Sequence, residues 1–161
     1  MNLRCNRRRG FTLIELVITV TIVALLAGAA VPLAELAVKR TREQELQLAL
    51  RQIREGIDAY KRAWDERRIA RNANETGYPK SLDQLVSGVT DVTSAKKTQI
   101  YFLRRLPRDP MFPDAGVPPA ATWGKRSYAS PPDNPQPGDD VYDVYSQSTD
   151  VALNGVPYRE W

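Results

Sequence analysis

From Phe11 to Leu36 the chain reads FTLIELVITVTIVALLAGAAVPLAEL, in which the only charged residues are Glu15 and Glu35. About 20 consecutive apolar residues suffice to cross a bilayer as a helix, so the pattern predicts a membrane-spanning helix over residues 11–36. Thr12, Thr19 and Thr21 can return their hydroxyls to helix carbonyls. Pro32 removes one backbone bond, a loss that such helices tolerate. Beyond Leu36 the pattern turns amphipathic. Leu46, Leu50, Ile53, Ile57, Tyr60 and Trp64 recur at spacings of four and three, one stripe of a helix that faces a core. Arg42, Glu43, Glu45, Arg51, Arg54, Glu55, Asp58 and Lys61 fall mostly on its other faces. One helix is therefore expected from Phe11 to about Arg68, its second half spanning residues 37–71. Lys61, Arg62, Arg67, Arg68 and Arg71 make its end basic, which suits the negative end of a helix dipole.

The remainder, residues 72–161, reads as shorter elements. Residues 72–79 (NANETGYP) break the helix. Pro79–Val86 predicts a short helix with Ser81 as its N-cap. Gly88–Thr98 is polar and predicts a loop, and Tyr101–Pro107 is an apolar-basic segment. Trp123–Ala129 and Val141–Ser146 have strand character, joined by the proline-rich loop Ser130–Gly138. Val156–Trp161 ends in aromatic residues expected to pack down. Trp64, Trp123 and Trp161 are expected in the core, and Asp109, between Arg108 and Pro110, in a turn. There is no internal repeat. The expected class is α+β, a long N-terminal helix packed on a small antiparallel sheet.

Charge changes the picture at one end only. Arg4, Arg7, Arg8 and Arg9 carry four of the 23 basic residues, and no acid precedes Gly10; the remaining nineteen balance nineteen acids. A balanced body offers no field for a phosphate backbone, so nucleic acid is not an expected partner. The basic cluster is an orientation signal, placing the N-terminus in the cytoplasm by the positive-inside rule. The single cysteine, Cys5, lies in this cluster, and no disulfide can form within the chain. No apolar stretch precedes Cys5, which argues against a lipidation site. Histidine is absent, which removes Ser-His-Asp and Cys-His pairs and histidine metal sites. No enzyme activity is expected.

Three readings compete for the apolar run. It can be a signal anchor that carries an exported domain. It can be a cleavable secretory signal, with Arg7–Arg9 as the n-region, Leu16–Leu26 as the h-region and Ala27-Gly28-Ala29 as the cleavage site. Both leave Glu15 unexplained, and a carboxylate inside a span is costly and marks a function by default. The third reading accounts for it. Gly10-Phe11-Thr12-Leu13-Ile14-Glu15 resembles the type IV prepilin signature. The resemblance implies that a prepilin peptidase cuts after Gly10 on the cytoplasmic side, removing residues 1–10 as a leader, and methylates the new N-terminus, Phe11. It also implies that Glu15 pairs with the Phe11 ammonium of a neighbouring subunit in a filament. Pairing would offset the cost of an unpaired buried charge and favour one axial register.

The C-terminal half narrows the resemblance. Gly77-Tyr78-Pro79 with Ser81-Leu82, residues 103–110 (LRRLPRDP), Trp123-Gly124 and residues 142–146 (YDVYS) follow in this order. Together they are similar to the major pseudopilins of type II secretion, the general secretion pathway protein G family. The absence of a cysteine pair points the same way, since many type IV pilins close a C-terminal loop with a disulfide. The resemblance implies a structural subunit: a single-pass protein of the bacterial inner membrane with a periplasmic C-terminal domain, which polymerises into a periplasmic filament. Its implied partners are copies of itself, prepilin peptidase, minor pseudopilins, an inner-membrane platform with its ATPase, and an outer-membrane secretin. Pro32 falls where the family carries a helix-breaking proline, and local unwinding there on assembly is expected. The alternative is a type IV pilin for adhesion, motility or DNA uptake.

Two departures matter. In the family Asp-Pro runs straight into Trp-Gly, whereas Met111–Thr122 intervene here. The family's C-terminal loop also binds calcium. Asp143 and Asp150 match the start of that region and are the candidate ligands, with Asp139, Asp140 and Asn154 as further oxygen donors. However, residues 151–161 (VALNGVPYREW) lack the usual second acidic stretch. Calcium takes about six to eight oxygens. The competing reading is a loop held by packing of Tyr158 and Trp161.

Overall fold

The computed structural model describes residues 10–72 and 75–161. The leader cluster Arg4 and Arg7–Arg9, Cys5, and Ala73-Asn74 of the predicted break lie outside the described residues. The chain divides into two compact units, one ending at Lys39 and the other running Arg40–Trp161. Helix α1 (Leu13–Asp65) contributes to both.

In the first unit α1 carries the apolar run. Its side chains from Leu13 to Leu36 are exposed wherever they are described, and by length and composition the helix can cross a membrane. Thr19 donates its hydroxyl to the Leu16 carbonyl (2.9 Å) and Thr21 to Val17 (2.8 Å), so neither leaves a polar group bare. Pro32 lies inside an uninterrupted helix.

The second unit is α+β. The α1 stripe is its spine: Leu46, Leu50, Ile53, Ile57 and Tyr60 are buried, joined by Ala49 and Ala63, with Trp64 half-buried against them. The helix stops three residues before the expected Arg68. Arg67 takes the left-handed conformation (φ 61°), Arg67 N–H donates to Trp64 O (3.0 Å) and Arg68 N–H donates to Ala63 O (2.9 Å). This is a Schellman closure with arginine where glycine is usual. The Arg71 guanidinium donates to the Trp64 and Asp65 carbonyls and lies 4.1 Å from the Trp64 ring, so the basic end caps the helix directly.

Helix α2 spans Gln84–Ser87 and begins later than expected. Ser81 does not cap it; the preceding residues form tight turns, with Gln84 N–H donating to Ser81 O, and Asp83 holds the N-cap position without a side-chain bond. The expected loop at Gly88–Thr98 contains structure. Strand β1 (Val89–Thr90) pairs antiparallel with β2 (Gln99–Ile100), Val89 opposite Ile100. Two residues per strand leave no alternation to read.

Strand β3 (Trp123–Arg126) pairs antiparallel with β4 (Asp143–Ser146), with Trp123 opposite Ser146 and Arg126 opposite Asp143. Both are shorter than predicted. Ser127 turns out of the strand, its N–H donating to Gln136 O, while Val141 N–H donates to Pro79 O (2.7 Å) and so ties the loop to the segment after α1. Ser130–Gly138 does form the connection. The Tyr145 ring lies so close over Gly124 that a β-carbon there would come within 2.3 Å of it, which requires glycine. Ile69, Leu82, Leu85, Trp123, Val141, Val144, Ala152 and Tyr158 complete the core. Asp109 is a turn residue, accepting from Met111 N–H (2.8 Å), and it is also fully buried, accepting from the Ser146 hydroxyl (2.6 Å). The expected single sheet is thus two ribbons of two strands within an α+β fold.

Candidate processing and assembly site

Gly10 and Phe11 precede the first helical residue and belong to no regular element. Gly10 has open space around it, and Phe11 is 82% exposed. Proteases bind accessible backbone outside regular structure, and this junction is both. The helix then starts on a reciprocal cap. Glu15 N–H donates to the Thr12 hydroxyl oxygen (3.3 Å), and Thr12 N–H donates to the Glu15 carboxylate (3.5 Å). Thr12 is the N-cap and Glu15 the third helical residue, the spacing of a capping box. The Thr-x-x-Glu spacing is present in the sequence at the start of the apolar run. Both contacts are long for an N–H donor, whose usual distance is about 2.9–3.0 Å. The carboxylate is therefore held loosely and remains able to take a stronger, charged partner.

At the other end of the chain the predicted acidic residues are not brought together. Asp143 accepts from Arg54 Nε (2.8 Å) and from Arg126 Nη2 (3.4 Å). Asp140 is buried, accepting from Tyr128 N–H (2.9 Å) and from the Thr76 hydroxyl in a very short contact. Asp139 and Asp150 are exposed, and the Asn154 side chain closes a local turn onto Val156 N–H (3.0 Å). Among the described residues no three Asp, Glu, His or Cys side chains converge to hold a metal ion.

Three charged residues matter more than the sequence indicated. Glu43 accepts from Leu153 N–H (2.8 Å) and from the Tyr158 hydroxyl (2.9 Å). Burial of Tyr158, then its bond to Glu43, pushes the phenol up to about 12. Arg54 reaches Asp143, Val144 and Trp161. Asp91 is buried, with its carboxylate bonded to the Thr93 hydroxyl (2.6 Å) and to Arg68 (2.8 Å). Arg54 lies beside the apolar stripe, and Glu43, three residues before Leu46, continues its spacing toward the core; what neither position reveals is its partner, about a hundred residues away.

A family model described as the prokaryotic N-terminal methylation motif matches residues 5–31. Neither the curated proteins nor the solved structures compared with the chain match it. The matched stretch holds the exposed Gly10–Phe11 junction, the Thr12–Glu15 cap and most of the apolar helix, a combination that fits anchoring in an inner membrane. The motif is a type IV prepilin-like signal, and it supports a type IV pilin-like protein, of the kind processed by prepilin peptidase and assembled into filaments.

Proposed function

We infer that the chain is a subunit of the type II secretion pseudopilus, which drives folded proteins through an outer-membrane secretin. The leader, residues 1–10, is cut off after Gly10, and Phe11 is N-methylated. Residues 11–36 then pack as the filament core, with the second unit outside in the periplasm. The coincidence of the methylation motif with an accessible Gly10–Phe11 junction, at the start of a helix whose apolar side chains are exposed, supports a processed, filament-forming subunit; the order of the C-terminal segments from Gly77 to Ser146 favours the pseudopilin. Cleavage creates an ammonium four residues before Glu15. In a filament the ammonium of a neighbouring subunit replaces the weak Thr12 N–H contact, since a charged donor binds a carboxylate more strongly than a neutral amide. Pro32 is the position at which the helix can lose a bond and stretch on assembly. The partners on this reading are further copies of the chain, minor pseudopilins and the membrane platform with its ATPase.

A type IV pilin for adhesion, motility or DNA uptake shares the same signal. The insertion Met111–Thr122 favours it, because it departs from the pseudopilin pattern. Mass spectrometry of the membrane-extracted protein tests what both readings share. The expected result is a chain that begins at N-methylated Phe11; a start at Ala30, or an uncut Met1, overturns processing and filament assembly together. Loss of exoprotein export on deletion, restored by the gene, is expected of the pseudopilin; intact export with lost surface filaments selects the pilin.

A further inference from the structure

The C-terminal segment, residues 147–161, returns to α1 at two places within the second unit. At the first, Glu43 receives Leu153 N–H and the Tyr158 hydroxyl. At the second, the Arg54 guanidinium gathers three oxygens from two parts of the chain: in β4 the Asp143 carboxylate through Nε (2.8 Å) and the Val144 carbonyl through Nη2 (3.1 Å), and at the end of the segment the Trp161 backbone oxygen through Nη2 (2.6 Å). Glu43 and Arg54 are eleven residues apart, about three helical turns, and so lie on the same face of α1. Between the anchors the segment supports itself. Ala152 N–H donates to Val156 O, Gly155 (φ 85°) makes the turn, Val151 pairs with Pro157, and the Tyr158 and Trp161 rings meet edge-on at 5.3 Å.

We propose that the Arg54 guanidinium, rather than a divalent cation, fastens the C-terminal segment to α1. A carboxylate and two backbone oxygens are the kind of ligand a calcium ion collects, though three fall short of its usual about six to eight; the planar guanidinium, with several fixed donors, gathers them here. The residues do not fit a calcium ion at Asp143. Its carboxylate already faces two cations, Arg54 and Arg126, and a dication brought to it meets both. The other expected ligand, Asp150, is not joined to it in any group of three among the described residues.

The test is hydrogen–deuterium exchange on the full chain in detergent micelles, read peptide by peptide over residues 147–161 and over the α1 core. The wild-type chain is expected to show the same protection of the segment in millimolar calcium and in chelator. Arg54→Gln removes the charged donor, and exchange in the segment is expected to rise about tenfold, the scale of a lost charge-assisted hydrogen bond. Arg54 is partly exposed, and unchanged protection at Leu46–Ile57 shows that the variant still folds. Glu43→Gln is expected to loosen residues 153–158 first. Protection of the wild-type segment that depends on calcium overturns the proposal, and so does an Arg54→Gln segment that exchanges at the wild-type rate. The wild-type comparison decides the matter even where a variant fails to fold, and neither arm depends on filament assembly.

Discussion

Asp91 is a carboxylate in a polar stretch that nevertheless lies buried, and its surroundings explain why it stays ionised. The Thr93 hydroxyl, then the Arg68 guanidinium, hold its acid constant down at about 2. A carboxyl whose constant is depressed by folding adds stability above its unfolded value of about 3.9 and loses it as pH falls toward the folded value. Acid should therefore begin to weaken the β1–β2 ribbon only between about pH 4 and pH 2. Carbon-detected NMR titration of Asp91 is expected to give a midpoint near the lower figure, and one near about 4 would show that the Thr93 and Arg68 contacts are not maintained in solution. Asp91→Asn is expected to leave that region's stability nearly independent of pH across the same window. At this scale the sequence was a partial guide. Trp123 declares its own burial by size and apolarity, whereas Asp91, Glu43 and Arg54 have the composition of surface residues. Glu43 and Arg54 find partners on distant segments that no local pattern specifies, whereas Asp91 bonds Thr93 two residues on and takes only Arg68 from another element.

At the scale of elements, the long helix follows from its own residues at both ends. The Thr12–Glu15 box satisfies N–H groups that the first turn leaves free, and the Schellman closure at Arg67 and Arg68 satisfies carbonyls of the last. Arg67 is exposed and holds a left-handed backbone, which costs a residue with a β-carbon about 1–2 kcal/mol. Glycine removes that strain but gives the unfolded chain more freedom, offsetting about 0.4–1 kcal/mol. Arg67→Gly is therefore expected to stabilise the second unit by up to about 1.6 kcal/mol. Urea denaturation checks it; destabilisation would mean that the Arg67 side chain contributes more than the turn geometry costs. The helix period was legible because its stripe repeats over five turns. The strands were placed correctly but drawn too long, since Ser127 and Val141 find hydrogen bonds with a loop and with Pro79 that no strand pattern encodes. The β1–β2 ribbon has no sequence signature, because period-two alternation needs more than two residues per strand.

For the whole molecule, the division at Lys39 separates two kinds of surface. The buried core residues all belong to Arg40–Trp161, whereas Phe11 to Leu36 contribute exposed apolar side chains. An apolar surface of that extent needs lipid or protein to cover it, and the folded core does not need the apolar run. The segment Arg40–Trp161 made alone is therefore expected to be soluble and monomeric and to unfold in one cooperative transition. Circular dichroism melting and sedimentation check this. An aggregated or unfolded product would locate part of the unit's stability in the removed segment.

What the sequence determined by itself is everything that depends on neighbours along the chain. This covers the apolar run and its length, the motif at Gly10–Glu15 that the methylation family model also matches, the amphipathic stripe and the α+β class. Each is a short-range pattern, and the hydrophobic effect acts on it wherever the chain goes. Tertiary structure alone decided which charges are structural. Residues 147–161 meet Glu43 and Arg54 only after about a hundred intervening residues have folded, and the same folding turns Asp143 toward two guanidinium groups. Carboxylates that composition offers as metal ligands are committed or dispersed by that path. A residue's charge is written in the sequence, but its partner is chosen by the route the backbone takes.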